Sequence, residues 1–61
     1  MPPILRYFAW EHLPGPLRTV SQPFGDLATW VVEHVPDGPE RTVALRKLLE
    51  AKDAAVRAAL G

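Results

Sequence analysis

Proline placement constrains the fold of this chain more than any other feature of its sequence. Five of its seven prolines lie within the first 23 residues, and proline disfavours both helix interiors and central strands. The sequence therefore predicts an extended arm over residues 1–16 and leaves the later residues for regular structure. Three aromatic side chains are concentrated in this arm: Tyr7, Phe8 and Trp10.

Residues 17–35 have the periodicity of a first helix. Steps of three and four residues place one apolar stripe on a single face. The stripe consists of Leu17, Val20, Phe24, Leu27, Val31 and Val35. Pro23 lies within it and predicts either a kink or a helix that starts near Ser21. Pro36 is expected to end the helix.

A second helix is predicted over residues 39–60. Two starts are compatible with the sequence: Asp37 as the N-cap with Glu40 completing a capping box, or Gly38 as the N-cap with Pro39 in the first turn. The segment that follows is rich in strong helix formers. Lys52 falls within its apolar arc, which predicts either a snorkelling stem or a partner across an interface.

The apolar arc of this second helix is too wide for one partner helix to cover. It comprises Val43, Ala44, Leu45, Leu48, Leu49, Ala51, Ala55, Val56, Ala59 and Leu60. A chain of about 60 residues is marginally stable alone, and this one has no cysteine for a disulfide. We therefore expect an all-α fold in which residues 1–61 form a single domain. This domain is a two-helix hairpin with an extended aromatic N-terminal arm, stable only as an oligomer.

Composition and motifs argue against several classes of function. Seven basic residues balance seven acidic ones, so bulk charge favours no polyanion such as DNA. No apolar run approaches the roughly 18 residues of a membrane span, and the N-terminus lacks the pattern of a signal peptide, so a cytosolic protein is expected. His12 and His34 have no carboxylate at metal-ligand spacing, and no catalytic or phosphate-binding motif is present. These absences predict a binding protein without enzyme activity, metal or cofactor.

The residues alone leave the roles of the aromatic and basic groups open. The aromatic arm, with Arg6 and His12 beside it, either stacks on a base, plugs a neighbouring subunit or closes the hairpin as a flap. Trp30 lies off the main stripe and predicts a subunit contact. Arg41 and Arg46, near the start of the second helix, form either a solvated face or an anion site.

Two segments separated by a helix carry a resemblance to a known family. They are Phe8-Ala9-Trp10-Glu11-His12-Leu13-Pro14 and Pro39-Glu40-Arg41-Thr42-Val43-Ala44-Leu45-Arg46-Lys47-Leu48-Leu49-Glu50-Ala51. Taken in this order along the chain, the two segments resemble the small phage proteins that share the anti-CBASS and anti-Thoeris hairpin domain. In those relatives the arm reads roughly Phe-x-Tyr-His-Pro-Pro, and the second helix opens Arg-Glu-Lys-Ser-x-Ala-x-Thr-x-Leu-Glu-x-Ala. The resemblance extends from about Phe8 to Ala59.

The resemblance implies a sponge for cyclic oligonucleotides. Such proteins bind signals made by bacterial defence enzymes and hold them without cleavage, so the CBASS effector is never activated. They act in the cytoplasm of the infected bacterial host. Relatives are homo-oligomers, commonly hexamers, with ligand pockets between subunits. Cyclic dinucleotides use the arm and first helix, and cyclic trinucleotides can use a separate site near the second helix.

The resemblance also implies two sets of ligand-binding residues. The first comprises Phe8, Trp10, His12, Arg18, Ser21, Gln22 and Gly25, and the second comprises Arg41, Thr42 and Arg46. Trp10 takes the place of the family's base-stacking tyrosine. The basic residue with which the family contacts phosphate has no charged counterpart at the matching positions, although Arg18 lies one turn earlier. Pro39 stands where many relatives have Arg, and Arg46 where they have Thr.

The residues also fit a function from another class. A helical oligomerisation or adaptor module, with its aromatic arm docked on a host protein, would need the same hairpin and the same exposed aromatics. Binding of single-stranded nucleic acid is disfavoured, because the formal net charge is zero and such proteins usually offer a basic groove.

Overall fold

A computed structural model describes residues 2–61, which form three helices and the turns between them. A 3-10 helix spans Pro3–Phe8, helix α1 spans Gly15–His34 and helix α2 spans Pro39–Leu60. These residues contain no strand, which confirms the all-α fold class. Helices α1 and α2 pack against each other, and residues 35–38 join them. A connection this short is typical of a helical hairpin.

The N-terminal segment differs from the predicted extended arm, because Pro3–Phe8 is helical. Proline is compatible with the first turn of a helix, where the backbone N–H groups need no partner. Here the first bond is donated by the Leu5 N–H to the Pro2 carbonyl, at 3.1 Å. The 3-10 helix packs against both α1 and α2. Met1, which the predicted arm included, lies outside the described residues.

Helix α1 begins two residues before its predicted start and continues through Pro23. A start near Ser21, one of the two predicted alternatives, is therefore wrong. Pro16 is tolerated because it lies in the first turn. The helix ends at His34, and Val35 takes an extended conformation before Pro36, as expected for a residue that precedes proline.

Helix α2 has the bounds that the sequence predicts. Gly38 is its N-cap and Pro39 lies in its first turn, so the second of the two predicted starts is confirmed. Asp37 forms no capping box. Its Oδ1 instead lies 3.1 Å from Nη2 of Arg41, one turn into the helix.

The core is small and takes one fully buried apolar residue from each helix: Phe8, Ala28 and Leu45. Half-buried apolar side chains surround them, among them Phe24 and Val31 of the predicted stripe. Leu27 of that stripe is 47% exposed, so the stripe is only partly covered in a single chain. The fully buried positions of α1 are Ser21, Gly25 and Ala28. Side chains this small allow neighbouring backbone to approach α1 closely.

Two basic side chains of α2 connect the elements. The guanidinium of Arg41 donates to the carbonyl oxygens of Val32 (3.3 Å) and Val35 (3.5 Å), at the C-terminal end of α1. Lys52 Nζ donates to the Tyr7 carbonyl oxygen at 2.6 Å, across 45 residues of sequence. The polar partner of Lys52 therefore lies within the same chain, and not across a subunit interface as one of the two predicted alternatives had it.

Candidate functional site

An open cavity of about 300 Å³ lies where the 3-10 helix meets α1. We call it the Trp10 cavity. It is lined by Leu5, Phe8, Ala9, Trp10, Glu11, Gly25, Asp26 and Thr29. Three residues of the first predicted ligand set, namely Phe8, Trp10 and Gly25, therefore meet at one place. Its volume lies at the lower end of the range of ligand pockets, about 300–1,000 Å³.

The half-buried Trp10 side chain rests directly on the backbone of α1 at Gly25. A Cβ atom at position 25 would lie 2.6 Å from Cδ1 of Trp10 and 2.9 Å from the Phe8 carbonyl oxygen. Both distances are too short for any residue with a side chain. Glycine is required here because it lets the indole lie against the helix, which fixes the ring at the cavity wall.

Phe8 serves the core more than the cavity. Its side chain is only 3% exposed and packs with Ala28 and Leu45. A ring that is to stack on a base needs at least one accessible face, and Phe8 offers almost none. We therefore correct its predicted role: Phe8 anchors the 3-10 helix and places Trp10, which follows two residues later.

The remaining members of the first set do not line the Trp10 cavity. His12, Arg18 and Gln22 are exposed, and His12 and Arg18 lie close enough to Glu11 to contribute to the lowering of its pKa. Ser21 is fully buried, and its Oγ has no hydrogen-bond partner among residues 2–61. In a single copy of the chain a bound molecule could therefore not reach Ser21. The predicted ligand role of Ser21 does not fit this burial.

Two carboxylates, Glu11 and Asp26, line the Trp10 cavity and were missed in the sequence. Glu11 Oε2 accepts a hydrogen bond from the Trp10 backbone N–H at 3.2 Å. Hydrogen bonds from the backbone of Glu11 itself and of Trp10 lower the pKa of this carboxyl group below its usual 4.5. Glu11 is therefore ionised at neutral pH. The only sequence signal for their place in the cavity was adjacency, since Glu11 follows Trp10 and Asp26 follows Gly25.

The hydrogen bond between Glu11 and the Trp10 backbone depends on pH in a defined direction. Folding lowers the pKa of Glu11. The ionised carboxylate therefore stabilises the folded state fully above the unfolded pKa, and this stabilisation is lost as the pH falls through the folded pKa. Acidification through the lowered pKa of Glu11, which lies below 4.5, therefore releases the Trp10 backbone from this contact, and neutral conditions keep it in place.

A second open cavity, of about 540 Å³, lies between the N-terminal residues and the first turns of α2. It is lined by Pro2, Pro3, Ile4, Asp37, Arg41, Thr42, Leu45 and Arg46. We call it the Arg46 cavity. It brings together all three residues of the second predicted set, because positions 42 and 46 are one helical turn apart and position 41 adjoins them.

The three predicted residues of the Arg46 cavity differ in how far their polar groups are already bonded within the chain. Arg41 is engaged with α1 and with Asp37, and its side chain is 12% exposed. The Thr42 hydroxyl donates to the Gly38 carbonyl oxygen at 3.2 Å. Arg46 is exposed and forms no ion pair within residues 2–61. Arg46 is therefore the cation that is available in this cavity to bind an anion.

Trp30 lies on α1 away from both cavities. Its ring is 52% exposed and stacks on His34 with 4.5 Å between ring centroids. Nδ1 of His34 lies 2.8 Å from the Trp30 carbonyl oxygen, which holds the pair together. This exposure places Trp30 at the surface, and its role as a subunit contact stays a prediction.

Comparisons with known proteins add nothing to this geometry: no family model, no curated protein and no solved structure matches the chain. Within residues 2–61 no helix is long and apolar enough to cross a bilayer. The same residues contain no group of three ligating side chains that could hold a metal ion.

We expect Gly25→Ala to displace the Trp10 ring. The new methyl group would meet both the ring and the backbone of Phe8, and overpacking of this kind costs about 1–3 kcal/mol. In a Trp30→Phe background, the melting temperature should fall and Trp10 fluorescence should shift to the red. Gly15→Ala is the matched control, because no atom lies within 4 Å of its Cβ position. Unchanged melting and emission in Gly25→Ala would contradict the placement of Trp10.

Proposed function

We propose that this protein is a phage counter-defence sponge, which binds cyclic oligonucleotide second messengers without cleaving them and thereby blocks activation of CBASS effectors. The observation that carries the proposal is the Trp10 ring, fixed on Gly25 at the wall of an open cavity. A flat, preorganised aromatic surface is what a nucleobase needs for stacking. Its place of action would be the cytoplasm of the infected bacterial host.

The size of the Trp10 cavity supports a shared site between subunits. At about 300 Å³ it has room for a base, whereas a whole cyclic dinucleotide needs a second surface for its other base and its phosphates. Two copies related by symmetry would present two Trp10 rings to the two bases. The proposal therefore includes a homo-oligomer, a hexamer by the family resemblance.

The Arg46 cavity supports a second binding site, which would take a cyclic trinucleotide. It is the larger of the two cavities and holds the exposed cation Arg46. Charge-assisted hydrogen bonds from a guanidinium suit phosphate oxygens. Arg41 contributes to this site indirectly, by holding the end of α1 against the start of α2.

Calorimetry with purified protein tests the function directly. Cyclic dinucleotides and cyclic trinucleotides are titrated, and the matching linear dinucleotides serve as controls. We expect binding of at least one cyclic ligand, weaker binding of its linear form, and full recovery of the intact ligand after denaturation. Absence of binding by every cyclic ligand contradicts the sponge, and recovery of a cleaved ligand indicates a hydrolase instead.

The oligomer gives a separate prediction. Only three apolar residues are fully buried within the described chain, whereas Leu27, Trp30, Val43 and Leu60 remain between 39% and 68% exposed. We expect sedimentation well above the 6.8 kDa of one chain. Ala55→Glu, on the apolar arc, should dissociate and largely unfold the assembly, whereas Ala54→Glu, beside the charged residues of α2, should not. A stable helical monomer would contradict this expectation.

A second candidate function, an adaptor module whose arm docks on a host protein, is favoured by Tyr7. Its ring is 53% exposed and lies outside both cavities. The guanidinium of Arg6 lies 5.0 Å from its ring centroid and donates to its hydroxyl at 2.9 Å. An ordered, exposed aromatic of this kind is typical of a protein contact. Cyclic-nucleotide binding that survives Tyr7→Ala and fails in Trp10→Ala would separate the two functions.

A further inference from the structure

Resting on the proposed function, we propose that the Trp10 cavity selects guanine and that Asp26 is the specificity-determining residue. Stacking on an indole accepts every nucleobase, because each has a π face. Selection therefore has to come from groups that meet the edge of the stacked base. In this cavity the polar side chains available for that purpose are Glu11, Asp26 and Thr29.

The two carboxylates are not equivalent. Glu11 already accepts the backbone N–H of Trp10, so its task is to hold the ring-bearing segment. Asp26 is exposed and forms no ion pair or side-chain hydrogen bond within residues 2–61. It directly follows Gly25, on which the indole rests. Asp26 is therefore the free carboxylate next to the stacking surface.

A free carboxylate favours one base over the others. An ionised carboxylate only accepts hydrogen bonds, and it accepts two at once from a donor pair with matching spacing. Guanine presents such a pair on its Watson–Crick edge, through N1–H and the exocyclic N2 amino group. Adenine and cytosine place an amino donor beside a ring-nitrogen acceptor, which faces the second carboxylate oxygen unfavourably.

The same charges indicate where the phosphates cannot lie. Two carboxylates at the cavity wall repel a phosphate, so the phosphates of a bound ligand should lie outside the Trp10 cavity. Arg18 is exposed on α1, eight residues before Asp26, which corresponds to about 12 Å along a helix. Base selection and phosphate binding are thus assigned to different parts of α1.

Calorimetry with three 3′,5′-linked cyclic dinucleotides tests the inference: the ligands carry two guanines, one guanine and one adenine, or two adenines. We expect the wild type to favour guanine by roughly tenfold or more for each base, as for a good bidentate contact. Asp26→Asn should lose this preference and bind the adenine ligand better than the wild type does, because an amide offers adenine both a donor and an acceptor.

Matched variants separate this inference from the function on which it rests. Asp53 is exposed on α2, and Asp53→Asn should keep the guanine preference. Glu11→Gln should lower the affinity for all three ligands without changing their order. Equal affinity of the wild type for all three ligands, or an unchanged preference in Asp26→Asn, overturns the inference and leaves the sponge intact. Absence of binding by all three overturns both. Competition by arginine amide against a bound dinucleotide would show that the carboxylates serve an organic cation, which also overturns the inference.

Discussion

Replacing Leu45 with alanine is expected to unfold most of the protein. Leu45 is 2% exposed and is the buried residue that α2 contributes to the core. Truncating a buried leucine costs about 2–5 kcal/mol. Native domains have about 0.05–0.15 kcal/mol of stability per residue, so a chain of 61 residues has little to spare. Urea and thermal unfolding followed by circular dichroism should show the loss.

Leu60→Ala is the matched control for this experiment, because the same chemical change is made at a position that is 68% exposed. Both variants need measurement at one protein concentration, since association stabilises the folded state by mass action. Leu45→Ala melting at the wild-type temperature would contradict the position of the core. A large loss in Leu60→Ala instead would place Leu60 in a subunit interface.

The second large effect is expected at Trp10. Stacking of one aromatic ring on a base is worth roughly 1–3 kcal/mol, and in the proposed oligomer two symmetry-related rings would act on one cyclic dinucleotide. Trp10→Ala should therefore weaken binding by about a hundredfold. Its ring is half-buried on Gly25, so a moderate loss of stability accompanies this change. Titration calorimetry and melting curves on the same sample separate the two effects.

Two variants make the Trp10 result specific. Trp10→Tyr retains an aromatic face and should recover most of the affinity. Trp30→Phe removes the other indole, which is half-exposed and stacked on His34, but keeps an aromatic ring at the predicted subunit contact, and it should leave ligand affinity nearly unchanged. Unchanged binding in an intact Trp10→Ala oligomer would place the ligand elsewhere, and the Arg46 cavity would then become the site to test.

The helices were predictable from the sequence because their signals are local. Apolar residues at helical spacing indicated α1, and Asp37-Gly38-Pro39-Glu40 indicated the start of α2, with Gly38 as one of two possible N-caps. The 3-10 helix at Pro3–Phe8 was not predictable by the same reasoning. Proline disfavours helix interiors but is compatible with first turns, and the stability of this segment comes from burying Phe8 against the rest of the chain.

The site was predictable only in part, because its geometry depends on tertiary contacts. Trp10 and Gly25 of the predicted set are neighbours in the structure, whereas the carboxylate of Asp26 lies at a position that the periodicity predicts to face solvent. Ser21 and Ala28 are small and carry no periodic signal, yet they are fully buried. Arg41 looked like part of a basic face, and only the fold shows that it holds the end of α1.

The contact between Lys52 and the Tyr7 carbonyl orders the events of folding. It joins residues 45 apart in sequence, so it can form only after the intervening chain has folded back on itself, with the loop-closure entropy that this requires. During synthesis, the aromatic segment leaves the ribosome long before Lys52 does. The contact that Lys52 makes with the 3-10 helix is therefore added last, after both the segment that it holds and the α1 backbone beneath Trp10 have been made.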